Sequence, residues 1–408
     1  MYPAHDPFFG RLLNIFLVLH HRRTVARKFS IGGLCSSVGV FRFCGGLHII
    51  KLTKTPLIYS VSRFNLGGLE LSLGGLSPPK PPGDDGTASP SNAPLKTDND
   101  VCYDNVSTAK VFANLPYQLL KSCIMSLATP FSLLFNFILA TNRYSRSWKI
   151  ASVIPLHKSG PTYYISNYRP IAILPSVSKV FEKIIHNHLY TYLESNDLLF
   201  SRNSCFRKHH STTSNLLEVS HGMLHAKDNG YSSRVVFLDI SKAFDKVVHS
   251  GLLLKLQQLG VSGSFFNLME SYLLGRSQFV QISNAKSDIL HTNCGVPQGS
   301  ILGPLLFQVH VNDISKNIKS SISLFADDTV LPYSSKCPYN LHRSLSSDLK
   351  TSQSWADLWS ISFNESKTKV LTISSNVSHH PPLQVANHIL SEVDSHKHLG
   401  LIYHRSSS

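Results

Sequence analysis

Two stretches of this chain decide its fold: residues 234–245 read RVVFLDISKAFD, and residues 321–331 read SISLFADDTVL. The first begins with a short, nearly continuous apolar run that ends in Asp239, a pattern typical of a buried β-strand. The second places Asp327 and Asp328 between two apolar segments, which predicts a β-hairpin with the acidic pair at its turn. We therefore expect carboxylates at the ends of buried strands.

The adjacent side chains of Asp327 and Asp328 are unfavourable beside apolar strands, because they repel each other and lose hydration. A cation between them would offset both costs. Mg²⁺ prefers oxygen ligands, takes one or two carboxylates and completes its shell with water and substrate phosphates. Taken alone, however, an Asp-Asp pair fits a solvent-exposed turn better than a metal site.

The rest of the sequence mixes helices and strands without a strict βαβ alternation, which indicates an α+β fold. Helices are predicted between residues 113 and 140 with Pro130 as an interruption, then over 174–193, 246–259, 263–274 and 300–311, and along an apolar face from Leu341 to Trp359. Strands are predicted over 151–156, 234–240 and 278–283.

The texture of the sequence divides the 408 residues into three parts. Residues 1–100 show no lasting helical or strand period, and their Pro/Gly/Ser-rich stretch 77–99 is typical of a flexible linker, so we expect this part to be disordered or a linker. Residues 101–150 read as a helical lead-in. Residues 151–405 carry the acidic stretches and form the predicted functional domain.

The composition points to a polyanionic partner. Lys and Arg number 39 against 24 Asp and Glu, which gives a net charge of +15, and 42% of the residues are apolar. These values exclude an acidic disordered chain and favour binding to nucleic acid, although an anionic membrane surface would attract the same charge.

The seven cysteines are scattered and form no CxxC pair, which argues against a disulfide framework or a zinc module. No apolar run approaches the length needed to span a bilayer, so we expect no membrane association. The early apolar run 12–19 lacks a convincing cleavage site, so we expect an intracellular protein, nuclear or cytoplasmic, that is not secreted.

Two further motifs accompany the acidic stretches. Residues 167–171, before the first stretch, read NYRPI, and residues 295–300, between the two stretches, read GVPQGS. Each motif is short and weak alone. The set of four, in this order and at these spacings, resembles the reverse transcriptases of non-LTR retrotransposons, the jockey-like group in particular. The resemblance extends from about Ala151 to Tyr403.

The resemblance implies a right-hand polymerase with fingers and an antiparallel palm sheet flanked by helices. It makes Asp239 the first metal ligand, with the backbone carbonyl of Ile240 beside it, and Asp327 the second shared ligand. Asp328 completes the catalytic triad and contributes less direct coordination. Two Mg²⁺ ions are the implied cofactors, with Mn²⁺ as an alternative.

Phe244 follows Asp239 by five residues, where the resemblance implies an aromatic gate that crowds a ribose 2′-hydroxyl and so selects deoxynucleotides. Without the resemblance, Phe244 is better read as a core residue. Asp245, next in the same motif, is expected to be a hydrogen-bonding carboxylate and not a metal ligand.

The loop Gly295–Ser300 is implied to meet the incoming nucleotide. Gln298 would lie against the nucleotide and the template base, and Gly295 and Gly299 would let the backbone approach the bound nucleic acid closely. An ordinary Gly/Pro turn that leads into a helix capped by Ser300 explains the same residues, and both interpretations can hold together.

Three cations are implied to act on the triphosphate or the leaving group. Arg169 and Lys158 would bind the triphosphate, Arg by a fork that matches phosphate oxygens and Lys as a point charge. Lys367 would position or protonate the leaving pyrophosphate. For Lys158 and Lys367 a solvated surface lysine is an equally good interpretation.

The contacts to template and primer follow from two further likenesses. Phe206 and Arg207 belong to a block that the family places near the template strand, but Cys205 stands where the family has Gly, and its Cβ is expected to strain the loop. Leu399 and Gly400 resemble the turn that grips the primer.

The function that the resemblance implies is RNA-directed DNA synthesis, in which a primer 3′-hydroxyl attacks the α-phosphate of a dNTP on an RNA template. We see no helical thumb after the primer-gripping turn and no endonuclease in the first quarter. The alternative is therefore a truncated, catalytically inert remnant that still binds nucleic acid, and an active chain is expected to work weakly and distributively.

Overall fold

The computed structural model describes residues 63–66, 69–72, 115–374 and 380–405. The helices in this part of the chain are α1 (Tyr117–Ser122), α2 (Ile124–Thr141), α3 (Ser176–Ser195), α4 (Thr212–Asp228), α5 (His249–Gln258), α6 (Gly263–Leu273), α7 (Gly303–Val311) and α8 (Pro338–Leu358). Short 3₁₀ turns lie at Arg146–Trp148 and Ile165–Asn167.

The strands are β1 (Arg63–Leu66), β2 (Leu69–Ser72), β3 (Ile150–His157), β4 (Tyr168–Ile173), β5 (Ser232–Asp239), β6 (Arg276–Ile282), β7 (Ala285–Lys286), β8 (Leu290–Thr292), β9 (Ser323–Phe325), β10 (Asp328–Ser335), β11 (Lys369–Ile373), β12 (Gln384–Val385), β13 (His388–Ile389), β14 (Ser391–Glu392), β15 (Ser395–His398) and β16 (Leu401–His404). The mixture confirms the predicted α+β class.

The central sheet has the strand order β14-β11-β5-β10-β9 and is antiparallel except for the β11–β14 pair. Its middle strand β5 is covered on both faces. Val236 and Leu238 join the large core with α8, whereas Val235 and Phe237 pack in a separate cluster with α4. This double burial explains why the strand reads as a nearly continuous apolar run.

The second sheet has the order β4-β3-β6-β7, with β8 also paired to β6. Strands β3 and β4 form an antiparallel hairpin, and β3 runs parallel to β6. One face of β3 is covered at Ala151 and Val153, while Ile154 on the other face is 45% exposed. The sheet therefore leaves one side open.

Aromatic side chains pack α2, α3 and α6 into the large core. The rings of Phe135 on α2 and Phe181 on α3 lie 5.1 Å apart, and Trp148 contacts both. Tyr144 stands edge-on to Tyr272 of α6 at 5.0 Å. Such contacts add stabilisation to the area that the rings bury.

Pro130 does not interrupt a helix as predicted. It lies inside α2, and the break falls at Cys123, between α1 and α2. Proline inside a helix costs about 3 kcal/mol. Burial of Phe131 and Leu134 directly after it offsets that cost, because each large apolar side chain contributes about 2 kcal/mol.

The prediction that Ser300 caps a helix was also wrong. Helix α7 begins at Gly303, and its N-cap is Leu302. The Ser300 hydroxyl still accepts a hydrogen bond from the Gly303 N–H at 2.8 Å. The N–H groups of Ile301 and Leu302 donate instead to the buried carboxylate of Glu182, which takes over the capping role.

Helix α2 is, among the described residues, long and apolar enough to cross a membrane, with a mean hydropathy of 1.7 over 18 residues. The expectation that no segment reaches this length was therefore wrong. Of that window, 33% is buried inside the protein. Phe131, Leu134 and Ile138 pack into the core, and core helices of soluble proteins pass the same test, so this one helix is weak evidence for a membrane.

Residues 1–100 contain one described element, the β1–β2 hairpin, where the sequence predicted no regular structure. The predicted linker 77–99 lies outside the described residues. Helices α1 and α2 lie within the predicted lead-in 101–150, of which residues 101–114 are also outside the described residues. The division into three parts stays a prediction.

Candidate active site

Two predicted catalytic aspartates face each other across neighbouring strands of the central sheet. Asp239 is the last residue of β5, Asp328 is the first residue of β10, and the two are partners in the antiparallel register. Asp327 lies exposed in the turn before β10, after Ala326, whose φ of 56° is left-handed. The three carboxylates thus come from one edge of the sheet.

The protein environment disfavours ionisation of Asp239 and Asp328. Burial raises the pKa of Asp328 to about 6, and the charges of Asp327 and Asp239 contribute to the same rise. Burial also raises the pKa of Asp239; the neighbouring Lys367 opposes this shift, and Asp327 adds to it. The carboxylates therefore interact electrostatically, and added positive charge would stabilise their ionised forms.

The donor set of this edge fits a hard divalent cation, since its acidic groups are carboxylates whose mutual repulsion the neighbouring lysines offset only in part. Lys367 supplies one positive charge, with its Nζ 3.5 Å from Asp239 Oδ2. Within residues 115–374 and 380–405, however, no three His, Cys, Asp or Glu side chains converge closely enough to hold an ion as they stand. Metal coordination by these aspartates stays a prediction.

A short segment after α8 fixes the end of β5. The Asn364 N–H donates to the Asp239 carbonyl at 2.7 Å, and Ser241 N–H donates to the Ser362 carbonyl at 2.9 Å. Ile240 is buried and forms an isolated bridge to Phe363. This clamp also delivers Lys367 to the aspartates.

A cleft of about 380 Å³ connects the aspartates with the end of the chain. Asp239, Asp328, Lys367, Lys369, Lys397 and Leu399 contribute to its lining. Leu399 (φ 48°) and Gly400 (φ 95°) form the turn between β15 and β16, and the His396 ring stacks on Phe237 at 4.1 Å. The predicted primer-gripping turn therefore lies at the same cleft as two of the aspartates.

Phe244 packs against the core, and its role as an aromatic gate stays a prediction. Its ring stacks on Phe307 of the core at 4.6 Å, yet the residue is only partly buried. Its carbonyl accepts the Val296 N–H at 2.8 Å, which ties it to the loop that carries Gln298.

Gln298 forms hydrogen bonds to two other segments of the protein, through its side chain and its carbonyl. Its side-chain Nε2 donates to Asp245 Oδ1 at 2.9 Å, which agrees with the hydrogen-bonding role expected for Asp245. Its carbonyl accepts the Ala172 N–H of β4 at 2.7 Å. The loop thus joins the second sheet to the segment after β5.

The two glycines of this loop lie against other backbone segments of the protein. At Gly299 (φ 129°) an added Cβ would collide with the Ala172 carbonyl oxygen. At Gly295 (φ 87°) an added Cβ would come within 2.9 Å of the Asp245 carbonyl oxygen. The prediction that they allow close approach of nucleic acid stays untested, because packing alone requires glycine at both positions.

The predicted triphosphate ligands lie on the β3–β4 hairpin. Lys158 and Arg169 are both exposed, and the Lys158 N–H donates to the Asn167 carbonyl at 2.8 Å. The charge of Lys158 lowers the pKa of both Asp239 and Asp328, so its ammonium group lies on the side of the aspartates.

The predicted template block, Phe206 and Arg207, combines a bound arginine with an exposed aromatic ring. Arg207 forms a two-pronged ion pair with Glu194, with both N–O distances at 2.8 Å and only 12% of its side chain exposed. Phe206 is 50% exposed and has a left-handed φ of 55°. A template contact for these two residues stays a prediction.

The prediction of backbone strain at Cys205 was wrong. The buried Cys205 has no positive φ, and the left-handed conformation in this loop falls on its neighbour Phe206. Burial, followed by the charge of Asp327, raises the pKa of the Cys205 thiol to about 12, so the thiol stays protonated beside the acidic turn. The Cys205 side chain, which stands where the family has Gly, is therefore buried without a left-handed backbone at its own position.

Sequence reasoning missed Glu182, whose fully buried carboxylate accepts the first N–H groups of the segment after Gln298. A signal was present, because Glu182 falls beside Phe181 and Ile185 on the apolar stripe of the predicted helix 174–193. A charged residue at a buried position points to a specific partner.

Comparison with known proteins matches residues 156–403 to a family described as "Reverse transcriptase (RNA-dependent DNA polymerase)". The chain is 33% identical over 280 residues to "Probable RNA-directed DNA polymerase from transposon X-element" of Drosophila melanogaster, covering 67% of this chain and 31% of that protein. It is 31% identical over 283 residues to "RNA-directed DNA polymerase from mobile element jockey" of the same species, again covering 67% and 31%.

The chain spans 31% of the length of each of these relatives. A solved structure of apo telomerase from Candida tropicalis aligns with a TM-score of 0.42 and 14% identity, over 57% of this chain and 52% of that one. This likeness is too distant to bear on the fold.

Proposed function

The chain belongs to the reverse transcriptase (RNA-dependent DNA polymerase) family, and on that premise we propose that residues 151–405 catalyse RNA-directed DNA synthesis with two divalent cations. The observation that carries the proposal is the register pairing of Asp239 with Asp328 at one edge of the central sheet, next to Asp327. The central sheet is the palm of this polymerase, and the second sheet belongs to its fingers.

Asp239, Asp327, Asp328 and the Ile240 carbonyl would hold Mg²⁺. When bound, two such ions activate an attacking hydroxyl and stabilise the charge on a leaving phosphate oxygen. The mutual repulsion of the carboxylates supports this assignment, because it leaves the edge short of positive charge. Catalysis then depends on how firmly the sheet and the clamp at Asn364 hold the aspartates.

The incoming dNTP would lie between the two sheets. Arg169 and Lys158 would bind its triphosphate, and the exposed part of Phe244 would limit space at the ribose. Gln298, held by Asp245, would contact the base pair. The Gln298 loop supports this arrangement because it bonds to both the second sheet and the segment after β5.

A second set of residues would contact the leaving pyrophosphate, the primer and the template. Lys367, at 3.5 Å from Asp239, would neutralise or protonate the pyrophosphate. Leu399 and Gly400 would contact the primer, and Gly299 and Phe206 the template. Arg207, whose guanidinium is bound by Glu194, would place Phe206 rather than grip a phosphate.

Extension of a DNA primer on an RNA template, with Mg²⁺ and dNTPs, tests the proposal. We expect Asp327→Asn to lower the extension rate by about 100-fold or more, since charge stabilisation at such a site contributes at least that much. Asp288→Asn, which changes an exposed aspartate beside the second sheet, is the matched control and should extend like the wild type. Unchanged extension by Asp327→Asn would rule out the proposed site.

One observation favours a second candidate, an inert nucleic-acid-binding remnant: among the described residues no three potential ligands converge to hold an ion. In that case the wild-type chain would bind RNA with a strong dependence on salt and would unfold cooperatively, but no primer would be extended in Mg²⁺ or Mn²⁺.

A further inference from the structure

The loop between β3 and β4 presents large apolar and aromatic side chains to solvent. The exposed fractions are 75% for Tyr163, 55% for Tyr164 and 91% for Ile165. The two tyrosine rings lie 4.5 Å apart at 49°, so each keeps an outer face open. Three consecutive exposed residues of this kind are unusual, because such side chains normally contribute to a core or an interface.

The loop is held in one shape by hydrogen bonds around the tyrosines. Tyr168 Oη donates to the Thr162 carbonyl at 2.7 Å, and Asn167 Nδ2 donates to the Pro161 carbonyl at 2.7 Å. Asn167 N–H donates to the Tyr164 carbonyl at 3.1 Å. These bonds order the loop before any ligand arrives, which lowers the entropic cost of binding to it.

The charge around the loop selects the kind of ligand. No Asp or Glu occurs anywhere between Asp104 and Glu182. Exposed Lys158 and Arg169 flank the loop at its two ends. The loop and its flanking strands therefore bring positive charge and no carboxylate of their own to a polyanion.

The loop begins directly after β3 with Lys158, whose N–H donates to the Asn167 carbonyl at 2.8 Å and closes the base of the loop. The side chain of Lys158 is exposed, so its charge is available to a strand that the tyrosines bind.

We propose that residues 161–166 bind unpaired nucleotides of a single-stranded RNA, with Tyr163 and Tyr164 stacking on the bases. Aromatic rings in a positively charged setting bind single strands in this way, and the contact tolerates any base because every base has a flat face. Binding is independent of catalysis; only the identity of the strand as the template depends on the proposed function.

Fluorescence anisotropy of labelled single-stranded oligoadenylate tests the proposal on the full chain. We expect the double variant Tyr163→Ala/Tyr164→Ala to bind about 5-fold to 150-fold more weakly, the range that stacking on one base supplies. Tyr163→Phe/Tyr164→Phe should bind like the wild type, because phenylalanine keeps the ring. Tyr339→Ala, which removes a 66% exposed tyrosine from α8, is the control for removal of any surface tyrosine.

Salt titration separates stacking from charge. The tyrosine variants should keep the wild-type slope of log K against log salt. Lys158→Ala should reduce the steepness of that slope by about 0.7, because the variant neutralises one phosphate fewer. An abasic oligomer of the same length should bind the wild type and the double alanine variant equally, because it has nothing to stack.

Wild-type affinity of the double alanine variant for oligoadenylate would overturn the proposal, as would equally weakened binding by Tyr339→Ala. Weaker binding of the double alanine variant to anionic lipid vesicles, with unchanged RNA binding, would assign the loop to a membrane instead. Asp327→Asn separates the two proposals, since it should abolish extension while binding oligoadenylate normally.

Discussion

The central sheet and the second sheet both contain apolar strands, but the side chains of these strands differ in their exposure to solvent. On β5 of the central sheet, Val236 and Leu238 are at most 2% exposed, and the strand is covered on both faces. On β3 of the second sheet, Ile154 and Leu156 are 45% and 53% exposed. The first sheet holds repelling carboxylates at a fixed edge, and the second offers cations and apolar surface to a ligand.

The difference teaches how the two tasks of the proposed polymerase are divided between the sheets. Carboxylates such as Asp239 and Asp328 stay together only if surrounding packing overcomes their repulsion, which demands a rigid, doubly buried strand. Cations such as Arg169 need no such force, and exposure lets them meet a charged substrate. Rigidity and accessibility therefore fall on different sheets.

The largest expected effect comes from removing packing at the catalytic edge. Leu238→Ala should lower the free energy of unfolding by roughly 2–5 kcal/mol, the cost of a cavity in a buried core. Ile154→Ala, on the open face of the second sheet, should cost less than about 1 kcal/mol. Urea denaturation measures both, and equal effects would show that the two sheets are packed alike.

A second effect concerns the pH dependence of stability in the presence of a chelator. The raised pKa of Asp328, about 6, means that the folded state binds this proton more tightly than the unfolded state. The contribution of Asp328 to the free energy of unfolding should therefore fall as pH rises from about 4 to 6, and the penalty should persist above that range.

Asp328→Asn removes this penalty. The variant should be more stable than the wild type at pH 7 by about 1–3 kcal/mol, and the two should converge near pH 4. Added Mg²⁺ should stabilise the wild type, and it should stabilise the variant less, because Asp239 and Asp327 remain as ligands but one carboxylate is lost. A stability difference between the wild type and Asp328→Asn that does not grow between pH 4 and 7 would contradict the electrostatic account of this edge.

A third prediction concerns Phe244, beside the loop where the two sheets meet. Phe244→Val should lower the discrimination between dNTP and rNTP by roughly tenfold, because space opens at the ribose. The ratio of kcat/KM values for the two nucleotides measures it. Phe307→Leu, which alters the stacked core partner only, should leave the ratio unchanged; a similar change in both variants would assign Phe244 to the core.

The smallest effect on stability should come from Lys367. Its ion pair with Asp239 spans 3.5 Å, and the lysine side chain is 58% exposed. Lys367→Met should change the free energy of unfolding by less than about 0.5 kcal/mol, as exposed pairs do. The extension rate should nevertheless fall, and a rate equal to that of the wild type would make Lys367 an ordinary surface lysine.

Several local features could be predicted from the sequence because local physics determines them. The apolar run before Asp239 predicts β5, and alternating apolar residues around Asp327 and Asp328 predict the β9–β10 hairpin. Helix α3 follows from its apolar stripe. The boundaries differ by a few residues, as at β5, which begins at Ser232 where Arg234 was expected.

Other features could not be predicted because their causes are distant in sequence. Pro130 sits inside α2 because tertiary burial outweighs its local cost. Helix α7 starts late because Glu182, from another helix, accepts the N–H groups before it. Arg207 turns to Glu194, and Cys205 avoids the strain that its neighbour Phe206 carries in the left-handed region.

The sequence by itself determined the strands that end in aspartate, the basic charge and the ordered motifs that carry the family likeness. Only the tertiary structure decided that Asp239 and Asp328 are register partners, that Lys367 lies beside them, and that Tyr163 and Tyr164 face water. The reason is physical. Period and composition depend on neighbours along the chain, whereas pairing, pKa and exposure depend on what the fold brings from elsewhere.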